Sequence, residues 1–274
     1  MDEAVAVELR RHAQRDGRTL AQPDQTKGEV RSQWYHVIDV APTVLAAAGL
    51  PEPKTVNGVV HRLSKAVSML PSFTDAKAEP AQNPSLTLHA GMKGMSENVF
   101  IDMKNRSFTI TGDIDGPAGG ANGVILDQGG RFGGWSLYMK GGKPIYVYNF
   151  LGLQRFTVAA AQAVPAGKAT IRLEFAYDGG GLAKGGLATI YVNDKKAAEG
   201  RIEHTQPMIF SADETADVGE DDATPVTEDY RAYDNEFTGK ILRVTVDVKA
   251  MGAGDRTEAA RAGAETAQKV ESAK

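Results

Sequence analysis

The chain has 274 residues, with 31 Lys and Arg against 35 Asp and Glu, a formal charge of −4 and no cysteine. That balance argues against nucleic acid or an anionic membrane as the main partner, since either demands an electropositive surface. The missing thiols exclude disulfide frameworks, thiolate zinc sites and cysteine nucleophiles.

In chain order, residues 2–16 can form a short helix with Val5 and Leu9 four apart and Gly17 to stop it. The opening run MDEAVAVELRRHAQRDG holds no signal-peptide apolar core, and no later apolar run is long enough to span a bilayer, so the chain as written is expected in the cytoplasm. After a polar linker, WYHVI reads as a strand and VAPTVLAAAG as a helix. Asp39 caps that helix, Pro42 lies in its first turn, and Gly49 and Pro51 end it. Residues 51–97 are rich in Pro, Ser, Lys and Ala and read as loop.

From Asn98 the pattern turns to period two. Val99, Ile101 and Met103 alternate with Phe100 and Asp102, and Phe108, Ile110 and Ile114 alternate with Ser107, Thr109, Thr111 and Asp113, predicting a hairpin. In GVILDQGGRFGGWSLYMKGGKPIYVYNFLG, glycine pairs separate three apolar runs, the signature of a β-meander. Further strands follow around Ile171–Phe175, around Ala188–Val192 before an Asn193-Asp194 turn, and with Leu242, Val244, Val246 and Val248 on one face. The fold class is all-β: an antiparallel sandwich of jelly-roll or concanavalin-like type at 97–249, preceded by a short α/β segment. An acidic loop, 213–236, interrupts it, and residues 250–274 read as a frayed tail.

KGEVRSQWYHVIDVAPTVLAAAGLPEPKTVNGV and AVSMLPSFTDAKA resemble the end of the catalytic domain of bacterial arylsulfatases. SENVFIDMKNRSFTITGDI, the Gly-rich meander, LEFAYDGGGLAKGGLATIYVNDKK and DETADVGEDDATPVTEDY resemble the C-terminal region of the same enzymes. The resemblance makes 27–96 a remnant of a catalytic domain and linker, 97–249 the accessory domain, and 1–26 unassigned. It implies an absent sulfatase catalytic domain as partner and leaves a periplasmic parent open. The intact family uses calcium and a formylglycine made from C/S-x-P-x-R. This chain has no cysteine and no such serine motif. The expected function is therefore an arylsulfatase fragment without catalysis, with no cofactor of its own. The alternative is a free-standing sandwich that binds a sulfated or acidic glycan.

No residue is assigned to catalysis or to a metal. His36 and Asp39 invite an acid–base role, but a cap and a packed ring account for them. Asp213, Asp217, Glu220, Asp221, Asp222, Glu228 and Asp229 cluster carboxylates as calcium prefers. Their spacing lacks the EF-hand core, and a solvated or strand-end loop is the favoured reading, with adventitious divalent binding the alternative. The Gly179–Gly181 and Gly185–Gly186 runs have no helix behind them and read as turns. For binding, Tyr138, Tyr146 and Tyr148 are the candidates for an exposed sugar-stacking platform, with Arg131 beside them to hold a sulfate or carboxylate bidentately. Trp135 shares a face with Leu137 and Met139 and is assigned to the core.

Overall fold

The computed structural model describes residues 40–50, 55–56, 59–60, 68–70, 73, 85–97, 99–211, 213–252, 254–259, 261–262 and 265. The chain divides into two compact units, Met1–Asn83 and Pro84–Lys274. The predicted helix over 2–16, the WYHVI strand, His36 and Asp39 lie outside the described residues.

In the first unit, helix α1 (Val40–Ala47) forms where the VAPTVLAA run predicts it. Gly49 stops it in a left-handed conformation (φ +66°), which lets Gly49 N–H reach the Ala46 carbonyl (3.1 Å) and Leu50 N–H the Leu45 carbonyl (2.9 Å). These two bonds are the paired closure that caps orphan carbonyls at a helix end. Two short strands, β1 (Thr55–Val56) and β2 (Val59–Val60), pair antiparallel.

The second unit is an all-β antiparallel sandwich. Its strands are β3 (Ser85–Leu88), β4 (Phe108–Gly116), β5 (Gly123–Gly130), β6 (Gly133–Lys140), β7 (Lys143–Phe150), β8 (Gln154–Ala159), β9 (Gly167–Tyr177), β10 (Gly186–Val192), β11 (Lys195–Ile202), β12 (Ala216–Asp217) and β13 (Lys240–Val248). One sheet runs β11-β10-β9-β4-β13-β3 and the other β12-β5-β6-β7-β8. Alternation decides what each strand buries. Ile110, Ile114, Ile171, Leu173, Phe175, Val244 and Val246 line the inner face of the first sheet; Leu126, Trp135, Leu137, Met139, Tyr146 and Tyr148 line the second. Trp135 Nε1–H donates to Gln128 Oε1 (3.2 Å), so the indole brings no unpaired donor into the core.

Several sequence expectations are corrected here. Residues 99–103 are not a strand: Val99 and Phe100 N–H both bond the Ser96 carbonyl, and the buried side chains, Phe100 and Met103, are three apart as in a turn. The predicted loop over 51–97 contains β3, whose Leu88 is fully buried and which pairs with β13. In β13 a register shift between Ile241 and Arg243 turns Leu242 out and Ile241 in. The tail also docks: Asp255 is buried and accepts from Gly181 N–H (2.6 Å), and Glu258 accepts from Leu182 N–H (3.2 Å).

The acidic 213–236 segment is a cover rather than a solvated loop. Paired residues share a face, so Val124, Ser136, Tyr138, Ile145 and Val147 point away from the main core. Val124, Tyr138, Ile145 and Val147 form a second apolar cluster under Tyr230. Ala216, Asp217, Val218, Asp221, Val226 and Thr227 of the cover are themselves buried.

Candidate functional site

The four residues proposed for binding do not come together. Trp135 pairs with Tyr148 and Leu137 with Tyr146, which puts both tyrosines on the inner face of the second sheet. Tyr148 accepts a hydrogen bond from Gln206 N–H (2.7 Å); burial raises the pKa of both phenols. Tyr138 faces the opposite way and is closed off by Tyr230, edge to face at 5.2 Å. Its hydroxyl donates to Asp229 Oδ2 (2.5 Å). Burial and then the Asp229 carboxylate raise its pKa, while Lys140 and Tyr138 hold the Asp229 carboxyl below its usual range. The solvent-facing tyrosine platform is therefore corrected: each of the three rings is buried.

Arg131 alone stays outside. Gly130 pairs with Gly133, leaving Arg131 and Phe132 as a two-residue hairpin tip. Beside it, Phe150 pairs with Gln154 across a second tip, Leu151-Gly152-Leu153. Buried Asn149 ties the tips together. Its Nδ2 donates to the carbonyls of Gly130 (2.8 Å) and Arg131 (2.9 Å), and its Oδ1 accepts from Gly152 N–H (3.0 Å). Arg131 N–H donates to Thr224 Oγ1 (3.0 Å), and Thr224 in turn donates to Glu214 (2.5 Å), which anchors the first tip to the cover.

On this fixed backbone stand exposed side chains: Phe132 is 73% exposed, Leu151 48% and Leu153 83%. Among the described residues no carboxylate pairs with the Arg131 guanidinium, whereas Arg155, Arg172, Arg201 and Arg243 are each held in ion pairs. A ring that offers its face beside a guanidinium with all its donors available can stack an apolar sugar surface and hold an anion at once. The sequence reading passed over Phe132. Its signal was position: turn tips are normally Gly, Asn, Asp, Ser or Pro, and a phenylalanine between two glycine pairs has no turn-forming role.

No protein-family model matches the chain, and no curated protein matches it. Among solved structures it is similar to the CBM40 of the Ruminococcus gnavus IT-sialidase bound to α2,3-sialyllactose (15% identity, 57% of this chain and 83% of that one, TM-score 0.38). It is also similar to domains LG4-5 of the mouse laminin α1 chain (16% identity, 64% of this chain and 40% of that one, TM-score 0.37). A third is the SAP-like pentraxin of Limulus polyphemus (11% identity, 61% of this chain and 78% of that one, TM-score 0.35). None of these is a sulfatase, and with no family model or curated relative behind it the arylsulfatase resemblance is withdrawn. The catalytic-domain remnant at 27–96 and the absent catalytic partner go with it. The likenesses assign no residue of this chain a role.

Proposed function

We propose that this protein is a glycan-binding β-sandwich that takes an acidic sugar, sulfated or carboxylated, at the paired hairpin tips. Phe132 stacks against the apolar face of a ring, Arg131 takes the sulfate or carboxylate in a bidentate pair, and Leu151 and Leu153 flank the contact. The observation that carries the reading is the tip itself, with an aromatic ring 73% exposed beside an unpaired guanidinium on a backbone fixed by Asn149 and Thr224. Pre-ordering matters because immobilising flexible side chains and loops subtracts from affinity.

Isothermal titration of the full chain with heparin, chondroitin sulfate and sialyllactose, alongside desulfated heparin and lactose, tests this. Binding is expected to the acidic ligands and to be lost on the neutral ones. Arg131→Ala should weaken it about 10- to 100-fold, the worth of a hydrogen bond to a charged group, and Phe132→Ala by a comparable factor. Equal affinity of wild type, Arg131→Ala and Phe132→Ala, or no binding to any acidic glycan, overturns the reading.

A further inference from the structure

The centre of the covered outer face holds a carboxyl group that no side chain answers. Asp127 of β5 is fully buried, and neither carboxylate oxygen has a hydrogen-bond partner. Directly across β6 lies Ser136, equally buried, with its Oγ also unpartnered. Directly across β12 lies a second carboxylate, Asp217. Like charges opposed across a ladder repel, and more approach from the cover: Asp127 feels Asp221, Asp217, Asp222 and Glu214.

Three of these neighbours have uses, Glu214 as the acceptor from Thr224. Asp217 accepts from Gly94 N–H (2.6 Å) and Thr215 Oγ1 (2.9 Å); Asp221 accepts from Val226 N–H (3.0 Å) and the Tyr230 hydroxyl (2.8 Å). Burial nonetheless pushes the Asp221 carboxyl up to about 6 and that of Asp127 well above its ordinary range. Among the described residues no lysine or arginine forms an ion pair with Asp127, Asp217, Asp221, Asp222 or Glu214; the nearest ion pair in sequence, Lys93 with Glu220, serves another carboxylate.

A buried carboxylate is tolerated when paired or bound to metal. A proton would neutralise Asp127 and still leave an unpartnered hydroxyl in place of an unpartnered oxygen. We infer that Asp127 and Ser136, with Asp221 from the cover, form a binding site for a divalent cation of the calcium class. The donors are all oxygen, carboxylate and hydroxyl, which suits a hard cation, and calcium accepts the irregular, partly backbone-filled shells that magnesium refuses. Among the described residues no three acidic or imidazole side chains stand in a ready metal arrangement, so the third side-chain donor is the Ser136 hydroxyl rather than another carboxylate. The cation would join β5 and β6 to the segment that carries Glu214 and Thr224, the residues behind the Arg131 tip. The inference does not depend on glycan binding.

The test is thermal unfolding and calorimetric titration of the full chain after EDTA treatment, with CaCl2 or MgCl2 as the only additions. Calcium at 100 times its dissociation constant should raise the melting temperature by about 5–10 °C, with magnesium weaker. Asp127→Asn keeps the shape and removes the repulsion, so it should melt above metal-free wild type and no longer respond to calcium. Should that variant misfold, Ser136→Ala removes only one small hydroxyl; it should fold as wild type and bind calcium about tenfold more weakly or worse. Wild type silent to calcium up to about 10 mM, well above the weak end of natural calcium sites, overturns the inference. So does a calcium response undiminished in either variant.

Discussion

Replacing Asn149 by alanine probes what holds the two hairpin tips. The side chain is buried and makes three hydrogen bonds, to the carbonyls of Gly130 and Arg131 and from Gly152 N–H. Each contributes about 0.5–1.5 kcal/mol net, and alanine leaves all three backbone partners behind in a site that water reaches poorly, so the loss should be about 3 kcal/mol. In a unit of this size that is about 6–12 °C in melting temperature. Urea unfolding should show a lower midpoint at unchanged slope, since the surface exposed on unfolding hardly changes. Acidic-glycan affinity should fall as well, although Arg131 and Phe132 are both still present, because the tips lose their fixed relation. A change in stability below about 0.5 kcal/mol, the range of an ordinary surface substitution, would refute the claim that Asn149 is the tie.

Two further outcomes are expected. Gly129 has φ +87°, and a Cβ there would run into the Gly133 backbone across the hairpin; Gly129→Ala should destabilise the sandwich by more than 1 kcal/mol in the same urea experiment. Asp229 has its pKa lowered by Lys140 and Tyr138, so its contribution to stability is complete above the ordinary carboxylate pKa of 3.8 and is lost as the pH falls below that value toward the folded-state pKa. Near-ultraviolet circular dichroism of the tyrosines should lose intensity over that acid limb in wild type, and the limb should be flatter in Asp229→Asn.

Much of the sandwich was legible because burial writes a period of two into each strand. Trp135, Leu137 and Met139 were read as core from that alternation, and the core holds them. The helix at Val40–Ala47 was legible from Pro42 and Gly49, whose backbone preferences act locally. Register was the missing step for the tyrosines. The Gly141-Gly142 turn sets Lys140 opposite Lys143, and stepping back along both strands puts Tyr148 against Trp135 and Tyr146 against Leu137. Once Trp135 is placed inside, the two rings must follow it. The covered outer face is a different matter. Tyr138 and Ser136 alternate with core residues as exposed residues would, and what buries them is a segment some ninety positions later, joined by contacts such as Tyr138 to Asp229. No local pattern carries that information. The acidic composition of the cover even argued for solvent, since clustered carboxylates are seldom buried without a partner.

The short strand at Ser85–Leu88 matters beyond its size. It is the outermost member of its sheet and pairs with Val244–Asp247, closing the flank of β13. A protein trimmed to begin at residue 97 would bare that row of amide and carbonyl groups along Val244–Asp247 of β13, an invitation to intermolecular strand addition. Trimmed material should then associate into dimers or fibrils with every residue of the Arg131-Phe132 tip intact. The guard on that stretch of β13 is four residues that lie ahead of the repetitive pattern by which the sandwich announces itself.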